Sequence, residues 1–434
     1  MSHSPTQAPA PATTNSRGRV LFASLVGTTI EYYDFYLYGT AAALVFGALF
    51  FPGESSTAQQ LSAFATFAIA FVARPVGSAL FGHYGDRLGR KTTLVASLLI
   101  MGISTTLIGF LPGYASIGVM APLLLCLLRF GQGIGLGGEW GGAALIATEN
   151  APANKRAWYG IFPQLGAPLG FILANGLFLY LVHTQGDEAF REFGWRVPFL
   201  LSAVLLAVGL YVRMALVESP AFVQSMARNE RASVPLLTVF RHHGRELLLG
   251  SMAMVVCYAL FYISTVFALG YGTKTLNIPR EHFLAMECGA IVFMAIGIVV
   301  SGLLADRYGR KPVLLWGALL AAFSGLWLAP AFNTGDLYTI GAYLSLELFL
   351  MGITFGPMGA LLPELFPTHV RYTGAAVAYN MGGILGASFA PYLAQRLVAE
   401  GGLAWVGGYI TAAALVSLVA VALMTETRDV SMQE

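Results

Sequence analysis

The sequence predicts an all-α membrane protein of twelve transmembrane helices arranged as two six-helix bundles, and three observations carry that prediction. Of 434 residues, 56% are hydrophobic and 11% charged, where soluble domains hold roughly 45–50% apolar and about 25% charged residues. Apolar stretches long enough to cross a ~30 Å hydrocarbon layer as helices recur along the whole chain. The third is an internal repeat: residues 82–91 read GHYGDRLGRK and residues 302–311 read GLLADRYGRK, 220 positions apart.

Residues 1–19 are polar and rich in Pro, Ala and Thr, which reads as a disordered tail, and no cleavable signal peptide is apparent. Six apolar spans follow near 21–50, 60–82, 92–112, 116–148, 157–182 and 196–217, forming a first bundle over 20–217. An exposed linker, 218–246, leads to six more near 247–271, 283–304, 312–331, 338–363, 374–398 and 403–424, in a second bundle over 247–434. Helices are the open-chain solution, because lipid offers unpaired backbone groups no water. Of 24 basic residues, 17 fall on the even-numbered side and five (Arg191, Arg196, Lys274, Arg280, Arg396) on the other, with Arg74 and Arg129 inside spans. The positive-inside rule then puts both termini and the linker in the cytoplasm.

A net charge of +2 leaves no basic stripe for nucleic acid. Cys126, Cys257 and Cys288 lie in apolar stretches and read as small buried hydrophobes, so neither a disulfide framework nor a metal site is expected. His242-His243, between Arg241 and Arg245, reads as part of a solvated basic segment, and no H-E-x-x-H argues for a membrane-embedded enzyme. The G-x-G-x-x-G of Gly133, Gly135 and Gly138 lacks the strand that a dinucleotide site needs. Gly133, Gly137 and Gly141 read instead as a small-xxx-small stripe for close helix approach.

A second motif repeats. Glu149, Pro152 and Arg156 spell E-x-x-P-x-x-x-R, and Glu364, Pro367 and Arg371 repeat it 215 positions later. Two motifs at nearly equal offsets imply two copies of one six-helix unit, with a cleft between them that permits alternating access. The D-R-x-G-R-K loops resemble the signature of the major facilitator superfamily, and Glu218-Ser219-Pro220 and PELFPTHVRYTG (363–374) resemble its sugar-porter-like branch. GTTIEYYDFYLYG (27–39), FVARPVGSALFGHYGDRLGRK (71–91) and LRFGQGIGLGGEWGGA (128–143) resemble the metabolite:H+ symporter family within it, in particular its shikimate-transporter-like members. The resemblance implies the major facilitator fold in a bacterial inner membrane, a monomer, and uptake of a carboxylate or zwitterion driven by a proton gradient, with no cofactor.

Ionisable residues inside spans concentrate in the first half: Glu31, Asp34, Arg74, Arg129 and Glu139. A lone charge at bilayer depth costs at least about 2.5–3.5 kcal/mol on insertion scales, so such residues face a cavity or pair. Glu31 and Asp34 share a helical face with Tyr38, and an acid cluster of this kind can exchange a proton near neutral pH. Counted at 1.5 Å per residue from the cytoplasmic loops, Asp34, Arg74 and Glu139 reach about 22, 18 and 15 Å, and Arg129 about 30 Å. Depth alone leaves open whether Arg74 or Arg129 is the counter-ion of Asp34. The expected roles are Asp34 as proton carrier, Glu31 as its neighbour or a substrate-orienting group, and Arg129 as the fork that binds the substrate carboxylate, with Arg74 and Glu139 as further substrate-site candidates. A buried structural ion network is the alternative.

Gln132 shares the Arg129 face, Gln164 and Asn175 share one azimuth of span 5, and Tyr258, Tyr262 and Thr265 share a face of span 7. These, with Tyr379 and Asn380 in span 11, are candidate cavity-lining residues. Glu287 and Glu347 lie nearer span ends and suggest a structural or solvent-exposed role. The resemblance further implies a cytoplasmic gate of salt bridges among Asp86, Arg87, Arg90, Glu149 and Arg156 and their repeats Asp306, Arg307, Arg310, Glu364 and Arg371. A facilitative or proton-coupled sugar or polyol transporter, and a non-transporting membrane sensor, remain the competing readings.

Overall fold

The computed structural model describes residues 17–53, 56–88, 90–214 and 235–432, without the side chains of residues 17, 56, 57, 60, 86–88, 90 and 187. The described residues are helical, with no strand among them. Ten spans come first: α1 (Gly18–Phe50), α2 (Leu61–Gly85), α3 (Lys91–Phe110), α4 (Met120–Glu149), α5 (Ala153–Gly186), α6 (Phe190–Met214), α7 (Gly244–Lys274), α8 (Arg280–Tyr308), α9 (Arg310–Asn333) and α10 (Leu337–Glu364), the last interrupted by a turn at Gly356 and Pro357. The expected span 374–398 is not one helix but two, α11 (Arg371–Gly386) and α12 (Ala390–Gly401), before the last span, α13 (Leu403–Leu423). Pro391 explains the break, since a proline inside a helix has no N–H for the carbonyl four residues back and its ring collides with it. Helix is already formed at residues 17–19, while residues 1–16 of the expected tail and 218–234 of the expected linker lie outside the described residues.

The repeat reaches into the backbone. A π-helical turn occupies Ala42–Phe46 of α1 and another occupies Ile263–Phe267 of α7, 221 positions on. In the first half, a Cβ at Gly77 would fall on the carbonyl oxygen of Ile134, and one at Gly137 on that of Arg74. In the second half, Gly297 meets the carbonyl of Phe349 and Gly352 that of Met294 in the same way. These glycines let α2 lock against α4, and α8 against α10, at backbone contact, which is what small residues supply where lipid provides no hydrophobic drive. The Gly133-Gly137 stripe is therefore a packing seam.

Helices α3, α6, α9 and α13 turn large apolar side chains outward, among them Ile103, Val204, Trp316 and Val419, as lipid-facing helices must. Helices α1 and α7 are almost wholly enclosed. They meet across the cleft between the halves, where Tyr36 stacks on Phe261 with ring centroids 4.9 Å apart.

The interlock predicts the cost of filling it. Gly352→Leu should destabilise the detergent-solubilised protein by about 1–3 kcal/mol, the usual range for overpacking, seen as a lowered thermal unfolding midpoint. Gly289→Ala, on the same unit where a Cβ meets nothing within 4 Å, should leave the midpoint in place.

Candidate functional site

At 100° per residue, α1 has two faces with different chemistry. Tyr32, Tyr36 and Gly39 point into the cleft, and Glu31, Asp34 and Tyr38 lie some 80–160° round from them, Asp34 the furthest. The cleft face closes on α7 and α11 around a cavity of about 10 Å3, lined by Tyr32, Tyr36, Tyr258, Tyr262, Tyr379 and Arg74 among others. That is room for a single water. Arg74 is the one charged residue in the lining. Its guanidinium lies 4.3 Å from the Phe35 ring centroid and 4.6 Å from that of Phe71, and its Nε has no hydrogen-bond partner among the described residues. Glu31, buried behind it, is its acidic neighbour.

The other face turns into the first half. Ser202 of α6 donates to Asp34 at 2.6 Å, with Thr105 of α3 beside it. Gln132 donates to Thr105 at 2.7 Å and accepts from Arg129 at 3.0 Å, so a polar chain runs from Asp34 to Arg129. The Arg129 guanidinium sits 3.9 Å from the Tyr38 ring centroid and 4.5 Å from that of Phe35. Neither Asp34 nor Arg129 lines the cleft cavities, and among the described residues no cation pairs with Asp34. The expectation of a chamber-facing Asp34 is not met, because two residues of helix separate it from Tyr32 and from Tyr36. Glu139 pairs with Arg213 and accepts from Ser97 at 3.0 Å, away from the cleft. Arg213, counted above among the cytoplasmic charges, is 3% exposed and packs where Gly27 of α1 leaves space.

Glu287 and Glu347 are not solvent-exposed: they are 1% and 0% accessible. Glu287 lines a second cavity of about 10 Å3, with Thr40, Tyr36, Tyr262 and Thr265. Glu347 lies beside Tyr343 and Ser324 within the second half.

Several predicted lining residues act as tethers, Tyr379 while also lining the cavity. Trp140 donates to Gln164 at 2.7 Å, and Gln164 donates to the Phe355 carbonyl of the other half at 2.8 Å. Asn380 crosses to Ser78 at 2.8 Å and to the Gly137 carbonyl at 3.2 Å. Tyr379 bonds Tyr32 at 2.7 Å and stacks on Trp140 with centroids 4.0 Å apart. Asn175 stays within the first half, accepting from Thr40 at 2.5 Å.

On the termini face the repeated motifs exchange partners. Arg371 of the second half reaches Glu149 of the first at 3.6 Å, and Arg156 of the first reaches Glu364 of the second at 3.8 Å. Arg310 adds a two-point contact to Glu364 at 2.9 and 3.1 Å. Asp306 accepts the backbone N–H groups of Ala157 and Trp158 at 2.9 Å each, anchoring the start of α5. Arg307 lies over Tyr308 and joins no ion pair among the described residues. The side chains of Asp86, Arg87 and Arg90 lie outside the described residues. The C-terminal segment straps this face: Arg156 donates to the Val430 carbonyl at 2.5 Å, Arg371 to that of Met432 at 3.1 Å, and Thr427 to Glu364 at 2.7 Å.

Residues 20–242 match the family model for sugar (and other) transporters, and residues 283–433 match that of the Major Facilitator Superfamily. The inner membrane metabolite transport protein YhjE of Escherichia coli K12 is 55% identical over 423 residues, 96% of each chain. The chain belongs to the major facilitator superfamily. The Escherichia coli K12 shikimate transporter is 37% identical, covering 94% of this transporter and 95% of that one, and a Salmonella typhimurium proline/betaine transporter is 33% identical, covering 95% and 84%. Among solved structures, the proton:xylose symporter XylE with bound 6-bromo-6-deoxy-D-glucose superposes with a TM-score of 0.76 at 21% identity, over 96% of this chain and 98% of that one. This transporter is a multi-pass membrane protein and not an enzyme.

The strap is testable through Glu426, which lies outside the membrane. Partial burial pushes its carboxyl up, but the N–H groups of Arg310, Lys311, Arg428 and Thr427 outweigh that and hold it below the usual carboxylate range. A depressed carboxyl contributes stability that is full above its unfolded value and is lost as pH falls through its folded value. Glu426→Gln should therefore speed amide exchange at the start of α9 and over 424–432 about fivefold at pH 7, the equivalent of a ~1 kcal/mol helix cap. Comparison with the parent protein at equal pH should show the difference fading below about pH 4.

Proposed function

We propose that the chain is a proton-coupled symporter of a small organic acid or zwitterion, working as a monomer by alternating access with both termini in the cytoplasm. The observation that carries this reading is Arg74, a lone guanidinium in a tyrosine-lined cleft with a buried acid behind it. Shikimate, proline and betaine, named for two of the relatives, all present a carboxylate, and a guanidinium fork matches a carboxylate in two-point fashion. The cationic end of a betaine suits the faces of the surrounding tyrosines.

In this reading the substrate carboxylate and the carboxylate of Glu31 compete for one guanidinium. With the cleft empty, Arg74 is neutralised by Glu31. When the substrate carboxylate takes the guanidinium, Glu31 loses its counter-charge and takes up a proton. A unit charge ~6 Å away is worth about 3 kcal/mol at an effective dielectric near 20, enough to link the two events, and linkage makes the coupling reciprocal. Glu31 thus carries the proton, while Asp34, tied to Ser202 and through Thr105 and Gln132 to Arg129, sets the packing of α1. The exchanged pairs Glu149–Arg371 and Glu364–Arg156 act as the cytoplasmic gate, supported by their burial between the halves.

Proteoliposomes with an alkaline interior, offered shikimate, succinate, citrate, proline, betaine and a hexose separately, should accumulate one of the carboxylate-bearing solutes above its external concentration. Glu31→Gln should abolish accumulation yet preserve counterflow, and Arg74→Lys should raise KM at least tenfold. Uptake indifferent to the gradient would overturn the coupling, and uptake of the hexose alone would favour the sugar reading.

A further inference from the structure

A third cavity, of about 220 Å3, opens on the face opposite the termini, lined by residues 44–45 and 47–49 of α1, Gln59, Arg191, Lys274 and Arg280. Its position follows from the helices that build it. Along α1, Tyr32 and Tyr36 line the Arg74 cavity, Tyr36 and Thr40 the next, and residues 44–45 and 47–49 this one. Along α7 the order repeats, from Tyr258 through Tyr262 and Thr265 to Lys274, and along α8 Arg280 lies a step outside Glu287. Twelve residues separate Tyr32 from Leu44 and Tyr262 from Lys274, about 18 Å at 1.5 Å per residue. Three helices therefore place this cavity on one axis with the central one, at its outer end.

Its charge is one-sided. Arg191, Lys274 and Arg280 come from three separate elements, close enough for Lys274 to feel both arginines, and no acid lines the cavity among the described residues. Glu281, next to Arg280 in sequence, faces His183 at 3.3 Å instead. These are three of the five basic residues on a face that otherwise has few. Gathering like charges is unfavourable, and a concave wall of one sign concentrates ions of the other.

We propose that this cavity is an anion-receiving antechamber, where Arg191 and Lys274 take the carboxylate of a small organic acid before it moves inward to Arg74. The volume is below the roughly 300 Å3 at which drug-sized pockets begin, and suits a cargo of that kind. The assignment deepens the reading of carboxylate transport given above, but its test uses no transport, so either can fail alone.

A reporter thiol is introduced by Ala48→Cys in the lining, with Cys126, Cys257 and Cys288 replaced by alanine. Its modification by an anionic sulfonatoethyl and a cationic trimethylammonioethyl methanethiosulfonate is timed in proteoliposomes at low salt. The anionic reagent should be favoured about tenfold, the lower end of electrostatic focusing. The preference should collapse in Arg191→Gln/Lys274→Gln and at about 1 M salt, where the Debye length is near 3 Å. Shikimate should protect the thiol, and its uncharged methyl ester should not. Equal rates for the two reagents, a preference unchanged in the double variant, or equal protection by acid and ester would each overturn the proposal.

Discussion

One charge in an apolar wall organises the molecule. Arg74 stands at the boundary between the cleft and the interior of the first half, with aromatic rings on one side and an acid on the other. A guanidinium tolerates that position better than an ammonium, being weakly hydrated and able to lie on ring faces. The helical phase of α1 does the rest, since its tyrosine face must meet α7 while its acidic face stays among the polar groups of α2, α3, α4 and α6. Shifting α1 by two residues would carry Asp34 to the place of Tyr36, against Phe261, and strand it without Ser202.

The halves share an architecture but divide the labour. By the 220-residue offset of the loops, Arg74 corresponds to Met294, and by the 215-residue offset of the second motif Arg129 corresponds to Leu344. Both second-half counterparts are buried and apolar. What the halves keep in common is structural: glycine seams at backbone contact, π turns in α1 and α7, and charged motifs at the termini face. The seams make each half stiff, so relative movement is confined to contacts between halves: side-chain tethers, ion pairs, aromatic stacks and the close approach of Gly160 to Gly359.

The spans, the repeat and the charged residues of the first half were legible because they depend on hydropathy, spacing and composition. Orientation was harder. Three-residue spacing shows that Glu31 and Asp34 share a face, but not whether that face looks into the cleft or the bundle; the phase of Tyr32, Tyr36 and Gly39 against them carries the answer. Arg213 was concealed by its place at a span end, where a basic residue satisfies topology without needing a buried partner. Glu287 and Glu347 were underestimated because distance from a span end is a poor guide to burial when helices run beyond the hydrocarbon layer. The break in the eleventh span was readable at Pro391, although an apolar window averages across it. For the repeated E-x-x-P-x-x-x-R motif, spacing showed two copies, and only packing showed that each acid takes the arginine of the other copy.

The two ends of the cleft are closed by different forces, and this bears on how they can open in turn. The termini face is held by partly buried ion pairs and hydrogen bonds, whose loss exposes charges that water can resolvate. Removing one partner of a buried pair costs about 3–5 kcal/mol because the other remains buried, but opening wets both, so the cost of opening is smaller. The opposite end is held by aromatic stacking and apolar contact between α1 and α7, where opening exposes hydrocarbon at roughly 25 cal/mol per Å2. Neither closure includes Arg74, yet α1 runs between them, with Tyr32 bonded to Tyr379 and, one turn further out, Tyr36 stacked on Phe261. In the proposed reading, a change in what neutralises Arg74 is felt by a helix that lies against both halves, and so one bound anion can bias two chemically unlike gates.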